Sequence, residues 1–90
     1  MVYIYVLKSY KDGRWYTGLT QDLRKRFKEH NSGKVFSTKD RRPFKLIYYE
    51  AHLSKKDALR RENYFKSTKG RITLKQILRD SLSGHLAQPG

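Results

Sequence analysis

The sequence predicts an α+β fold, a small three-stranded antiparallel sheet flanked by helices. Three observations carry that expectation. Two runs rich in Val, Ile and Tyr flank the turn signal Lys11-Asp12-Gly13. A further apolar run, Leu46-Ile47-Tyr48-Tyr49, follows Pro43. Between and after these runs, apolar residues recur at helical rather than alternating spacing.

The elements follow in order. Residues 2–8 read as a buried strand and residues 14–19 as its hairpin partner. Thr20 stands where an N-cap belongs, ahead of a helix over 21–31 with Asp22 in its first turn. Leu23, Phe27 and His30 fall at i, i+4 and i+7 on one stripe of that helix, and Asn31-Ser32-Gly33 ends it. Residues 34–43 are polar and basic and read as a loop, with Pro43 excluding helix just before it. Phe44 to Ala51 reads as the third strand. Ser54 and Asp57 have the spacing of a capping box before a second helix over 55–67. Ile72, Leu74, Ile77 and Leu78 suggest a third helix over 72–81. The order is therefore β-β-α-β-α-α, with one domain over 1–82 and a loose, patternless tail over 83–90.

Charge narrows the function. The chain has 21 Lys and Arg residues against 8 Asp and Glu, a net charge of +13 over 90 residues. Such a field draws in polyanions. Nucleic acid is the expected partner, because neutralised phosphates release counterions. An anionic membrane ranks below it, since the basic residues are not confined to one face of one amphipathic segment. No stretch approaches the roughly 18 apolar residues of a membrane span. The start, Met1 to Leu7, lacks the basic region and cleavage site of a signal peptide. The expectation is a soluble cytoplasmic protein. There is no cysteine, so disulfides and thiolate metal sites are excluded and the core must draw on aliphatic residues, seven Tyr and four Phe.

Three features break local rules, as functional sites often do. Glu62 shares a helical stripe with Ala58 and Phe65, and a carboxylate on a packing face is costly unless paired or metal-bound. Arg26 and His30 are four apart on the first helix, side by side, where they could grip one phosphate. Tyr5 and Tyr16 stand one on each strand of the hairpin; strand tyrosines are usually packing residues, whose hydroxyls still need partners if buried.

Together these residues resemble the GIY-YIG nuclease family. Tyr3-Ile4-Tyr5 is similar to its first motif, Tyr16-Thr17-Gly18 to its second, Arg26 with His30 to its helical pair, and Arg60-Arg61-Glu62-Asn63 to its glutamate motif. The resemblance runs from about residue 2 to residue 71. Tyr3 stands in place of the first glycine, Thr17 in place of the second isoleucine, and Ser67-Thr68-Lys69-Gly70-Arg71 where many members carry a late Asn.

The resemblance implies a metal-dependent endonuclease that hydrolyses DNA, single-stranded, duplex or branched, as a monomer or weak dimer. It implies Mg²⁺ or Mn²⁺ held by Glu62, Arg26 neutralising charge on the phosphoryl group, and Tyr5 or Tyr16 helping to deprotonate the attacking water. His30 would orient a tyrosine hydroxyl or contact the phosphate. Lys39, Arg41 and Arg42 on the loop, and Lys66, Lys69 and Arg71 after Glu62, would grip the backbone, with Ser37 and Thr38 adding contacts. The alternative is a catalytically silent nucleic-acid-binding module of the same fold.

Overall fold

The central strand of the sheet is also its most apolar segment. In the computed structural model, which describes residues 1–83, β1 (Val2–Ser9) lies between β2 (Trp15–Thr20) and β3 (Phe44–His52) and runs antiparallel to both. A strand covered on both faces needs apolar residues at both parities. Val2, Ile4 and Val6 on one face, and Tyr5 and Leu7 on the other, are all buried. The hairpin register sets Tyr5 opposite Gly18 and Leu7 opposite Tyr16. Tyr5, Tyr16 and Gly18 thus share one face of the sheet.

Helix α1 (Leu23–Ser32) covers that face, with Leu23 and Phe27 packed on the cluster of Tyr5, Leu7 and Phe44. Helices α2 (Lys55–Lys66) and α3 (Thr68–Ile77) cover the opposite face, where Ala58, Phe65 and Leu74 meet Val2, Ile4 and Val6. A short α4 (Arg79–Ser83) follows. No helix is long and apolar enough to cross a membrane among the described residues.

Three boundaries correct the sequence reading. Thr20 is not the N-cap of α1. It is still paired with Tyr3 in the sheet, and the cap is Asp22, whose Oδ1 accepts from the Lys25 N–H at 3.1 Å. The third helix begins at Thr68 rather than 72 and stops at Ile77, with α4 a separate turn beyond it. The expected tail began at residue 83, but Ser83 closes α4 and residues 84–90 lie outside the described residues. The loop of 34–43 contains a single 3₁₀ turn, Lys39–Arg41, ahead of Pro43.

The early start of α3 has a packing cause. Ser67 caps it, its hydroxyl accepting from the Gly70 N–H at 3.1 Å. Gly70 is buried where α3 turns back on α2, and a Cβ there would overlap the Tyr64 carbonyl. Gly70→Ala is therefore expected to lower stability by about 3 kcal/mol, the upper range for overpacking. Thermal melting of the variant checks this; an unchanged Tm would mean that α2 and α3 separate without cost.

Candidate active site

The buried end of the site is a hydrogen-bonded chain. The Tyr5 hydroxyl lies 2.8 Å from His30 Nε2, and His30 Nδ1 lies 2.8 Å from Thr38 Oγ1. Thr38 in turn donates to the Val35 carbonyl at 3.5 Å. With that proton committed, Thr38 accepts from Nδ1–H, and Nε2 is left to accept from Tyr5. His30 and Thr38 are fully buried and Tyr5 is 1% exposed. Gly18 makes room for this chain: a Cβ there would stand 2.5 Å from the Tyr5 hydroxyl.

Electrostatics follow from burial. His30 is held down to about 4 by desolvation, with the Arg26 charge acting in the same direction and Glu29 against it. It is neutral at pH 7. Tyr5 is pushed up to about 12, again chiefly by burial; Arg26 opposes this while Tyr16 and Glu62 add to it. The unfolded chain takes up a proton at His30 near pH 6.5, whereas the folded chain resists until about pH 4. The stability His30 contributes is thus present above pH 6.5 and lost as pH falls toward 4. Melting curves across that window are expected to show a falling Tm whose slope flattens in His30→Gln. An equal slope in both proteins would show that His30 does not titrate this way.

Arg26 and Tyr16 form the wetter side. Both are half-buried, and the Tyr16 ring stands 5.0 Å from the His30 ring and 6.3 Å from that of Tyr5. Arg26 bonds Glu29 at 3.1 Å, one turn away, and faces a groove with Leu19, Thr20 and Lys25.

Glu62 stands on α2, which lies on the other side of the sheet and packs against β1 and β2. The neighbouring Arg61 sets the rotation of that helix. Its guanidinium grips Glu50 of β3 with Nε and Nη2, each 2.9 Å from a carboxylate oxygen. Tyr48 donates to the same carboxylate at 2.7 Å, and His52 Nε2 lies 3.1 Å from it. Burial alone would raise the Glu50 pKa, but these bonds overrule it and hold the carboxyl at about 2. Glu62 follows Arg61 about 100° around the helix, and its charge is among those that act on Tyr5.

The donor set decides what cation Glu62 could hold. Among the described residues no three His, Cys, Asp or Glu side chains converge, so no all-protein cage is formed. Glu62 carries a cation already: Lys66 Nζ lies 3.0 Å from its Oε2, and the Glu62 side chain is 15% exposed. One carboxylate that attracts positive charge at the edge of a polar site fits Mg²⁺ or Mn²⁺, which keep most of their water and take one or two carboxylates.

The structure revises several of the expected binding residues. Thr38 is buried against His30 and cannot also meet a phosphate. His30 has both ring nitrogens engaged and no exposed surface, so of its two expected roles the phosphate contact is excluded and the orienting one fits. Lys66 is tied to Glu62. Arg41 is a strut, its Nε 3.1 Å from Asp12, its guanidinium over the Phe44 ring and its Nη2 buried without a partner among the described residues. Arg42 lies against the Gly33 cap of α1 and donates to the Lys39 carbonyl at 2.6 Å. Lys39 covers the Phe36 ring. Ser37, Lys69 and Arg71 are exposed. Asn31, which the sequence reading used only as a helix stop, ties α1 to β3 by bonding both the N–H and the carbonyl of Phe44.

This sheet, with a tyrosine on each strand of its hairpin, an Arg-His pair on α1 and a glutamate on α2, is the arrangement of a GIY-YIG domain. The model of the GIY-YIG catalytic domain matches residues 1–76, and the chain belongs to that family. Within the family it is similar to the UPF0213 proteins. It is 49% identical over 65 residues to UPF0213 protein YazA of Bacillus subtilis (strain 168), covering 71% of this chain and 65% of that one. It is 43% identical over 76 residues to UPF0213 protein SSP2268 of Staphylococcus saprophyticus, covering 83% and 92%. The chain spans just under two thirds of the length of YazA and of a UPF0213 protein of Bacillus pumilus (strain SAFR-032), 65% and 66%. Among solved structures, the solution NMR structure of UPF0213 protein BH0048 from Bacillus halodurans aligns with a TM-score of 0.54 at 41% identity, over 86% of this chain and 85% of that one. GIY-YIG domains form a nuclease family, acting on nucleic acid and generally using a divalent metal. The UPF0213 names assign no particular activity.

Proposed function

We propose that this protein is a metal-dependent endonuclease that hydrolyses DNA phosphodiester bonds, with Tyr5, Tyr16, Arg26, His30 and Glu62 as its active site. The observation that carries this reading is the placement of Glu62. A binding module has no use for a carboxylate beside its tyrosines, yet the Glu62 charge acts on Tyr5 and its side chain already holds the Lys66 ammonium. Glu62 would hold Mg²⁺ or Mn²⁺, and such an ion, when bound, supplies positive charge for the departing oxygen. Arg26 offers a guanidinium to the phosphoryl oxygens, with Glu29 fixing its direction. Tyr16, half-buried where Tyr5 is buried, would give its own proton to solvent and then, as phenolate, take one from the attacking water. His30 and Thr38 hold Tyr5, and Tyr5 shapes the floor of the site.

The test is direct. Purified protein is incubated with labelled single-stranded, duplex and branched DNA, and with RNA, in Mg²⁺, in Mn²⁺ and in EDTA. Cuts in DNA that require metal support the reading. Binding without cuts on every substrate would replace it with the silent binding module.

A further inference from the structure

Outside the catalytic constellation, one concavity gathers positive charge from three parts of the chain. It has a volume of ≈ 460 Å³ and is lined by Gly13, Arg14 and Trp15 of the hairpin, Arg41 of the 3₁₀ turn, and Arg71 and Lys75 of α3. Among the described residues no acidic side chain lines it. The nearby Asp12 is taken up by Arg41, whose guanidinium is further fixed over Phe44. Arg71 and Lys75 are one helical turn apart, and both, like Arg14, are exposed. Like charges facing one hollow repel, and an anion seated there relieves the repulsion. Trp15 adds a flat wall: it is half-buried, with part of its ring packed against the core.

We propose that this hollow is a phosphate subsite for a nucleic-acid strand, with Arg14, Arg71 and Lys75 binding the backbone, the fixed Arg41 adding positive charge to the wall and Trp15 offering a surface to a base. The proposal rests on the nucleic-acid reading above and extends it in space. Trp15 and Tyr16 are adjacent on β2, so their side chains point to opposite faces. A strand held at both must pass around the free edge of β2, the outer strand of the sheet. That path makes Arg71, one of the expected binding residues, part of a site and adds Arg14 and Lys75, which are distant from each other in the chain.

Trp15 is the one tryptophan of the protein, so its emission reports on this hollow. Short labelled single-stranded DNA is titrated in EDTA, following both label anisotropy and Trp15 fluorescence. Arg71→Ala/Lys75→Ala is compared with Lys55→Ala/Lys56→Ala, which removes the same charge from exposed residues outside the hollow. The expected result is saturable quenching of Trp15. The first double variant should lose roughly tenfold more affinity than the second and, with two cations removed, flatten the salt slope by about 1.4. Equal losses in the two variants, or binding by anisotropy with Trp15 emission unchanged, would overturn the subsite. So would quenching by inorganic pyrophosphate alone that DNA does not reproduce, since the hollow would then belong to a small anion. Cleavage plays no part in this readout. A protein that binds in this way but never cuts would sink the nuclease reading and leave the subsite standing.

Discussion

Glu62→Gln is expected to lower the single-turnover rate of DNA cleavage by about 10³-fold while leaving affinity in EDTA unchanged or slightly improved. Glutamine keeps the shape of a side chain that sits between buried Ala58 and Phe65 on α2, so the helix should still pack. What it removes is the negative charge. That charge now holds the Lys66 ammonium, and a divalent ion would take its place. For binding the sign reverses, because a carboxylate near a phosphate repels it and its neutralisation helps. Rates by quenched flow, affinities by anisotropy and a melting curve separate these effects. A variant that folds and cuts within tenfold of the parent would remove Glu62 as the cation-holding group. Lost binding with cleavage spared would invert its role.

The hairpin, β3 and the body of α2 were readable because their signals are local. β-Branched and aromatic runs, a Lys-Asp-Gly turn and a serine cap lie within a few residues of the structure they specify. The start of α3 is hidden in the sequence because Thr68-Lys69-Gly70-Arg71 carries no apolar residue to extend the periodicity that begins at Ile72, and Gly70 has no side chain to mark the contact it makes. Its real constraint is the Tyr64 carbonyl on another helix. The same distinction runs through the site. His30 was legible as a stripe residue with Leu23 and Phe27, and that stripe already pointed to burial. The basic loop around Thr38 suggests a phosphate contact, but buried Val35 three residues earlier folds the loop inward and turns the hydroxyl to His30. The Arg61–Glu50 clamp links α2 to β3, a pairing that no periodicity within either element announces.

The two tyrosines, equivalent in the sequence, are not equivalent in the fold, and this gives the second large effect. Tyr16→Phe is expected to slow cleavage by about 10²- to 10³-fold, the usual contribution of a group that moves a proton, with little change in Tm. Tyr5→Phe should cost less in rate and more in stability. The Tyr5 proton already points inward to His30 Nε2. For Tyr5 to accept a proton from water, it must pass its own to an imidazole held down to about 4, while its phenol is pushed up to about 12. Both shifts oppose that transfer near neutral pH. Removing the Tyr5 hydroxyl instead leaves a fully buried ring nitrogen without a partner, a loss of about 1–3 kcal/mol. Rates and melting curves for the two phenylalanine variants decide the matter. If Tyr5→Phe abolishes cleavage and Tyr16→Phe barely alters it, the buried chain from Tyr5 through His30 to Thr38 is a proton path, and Tyr16 is the packing residue.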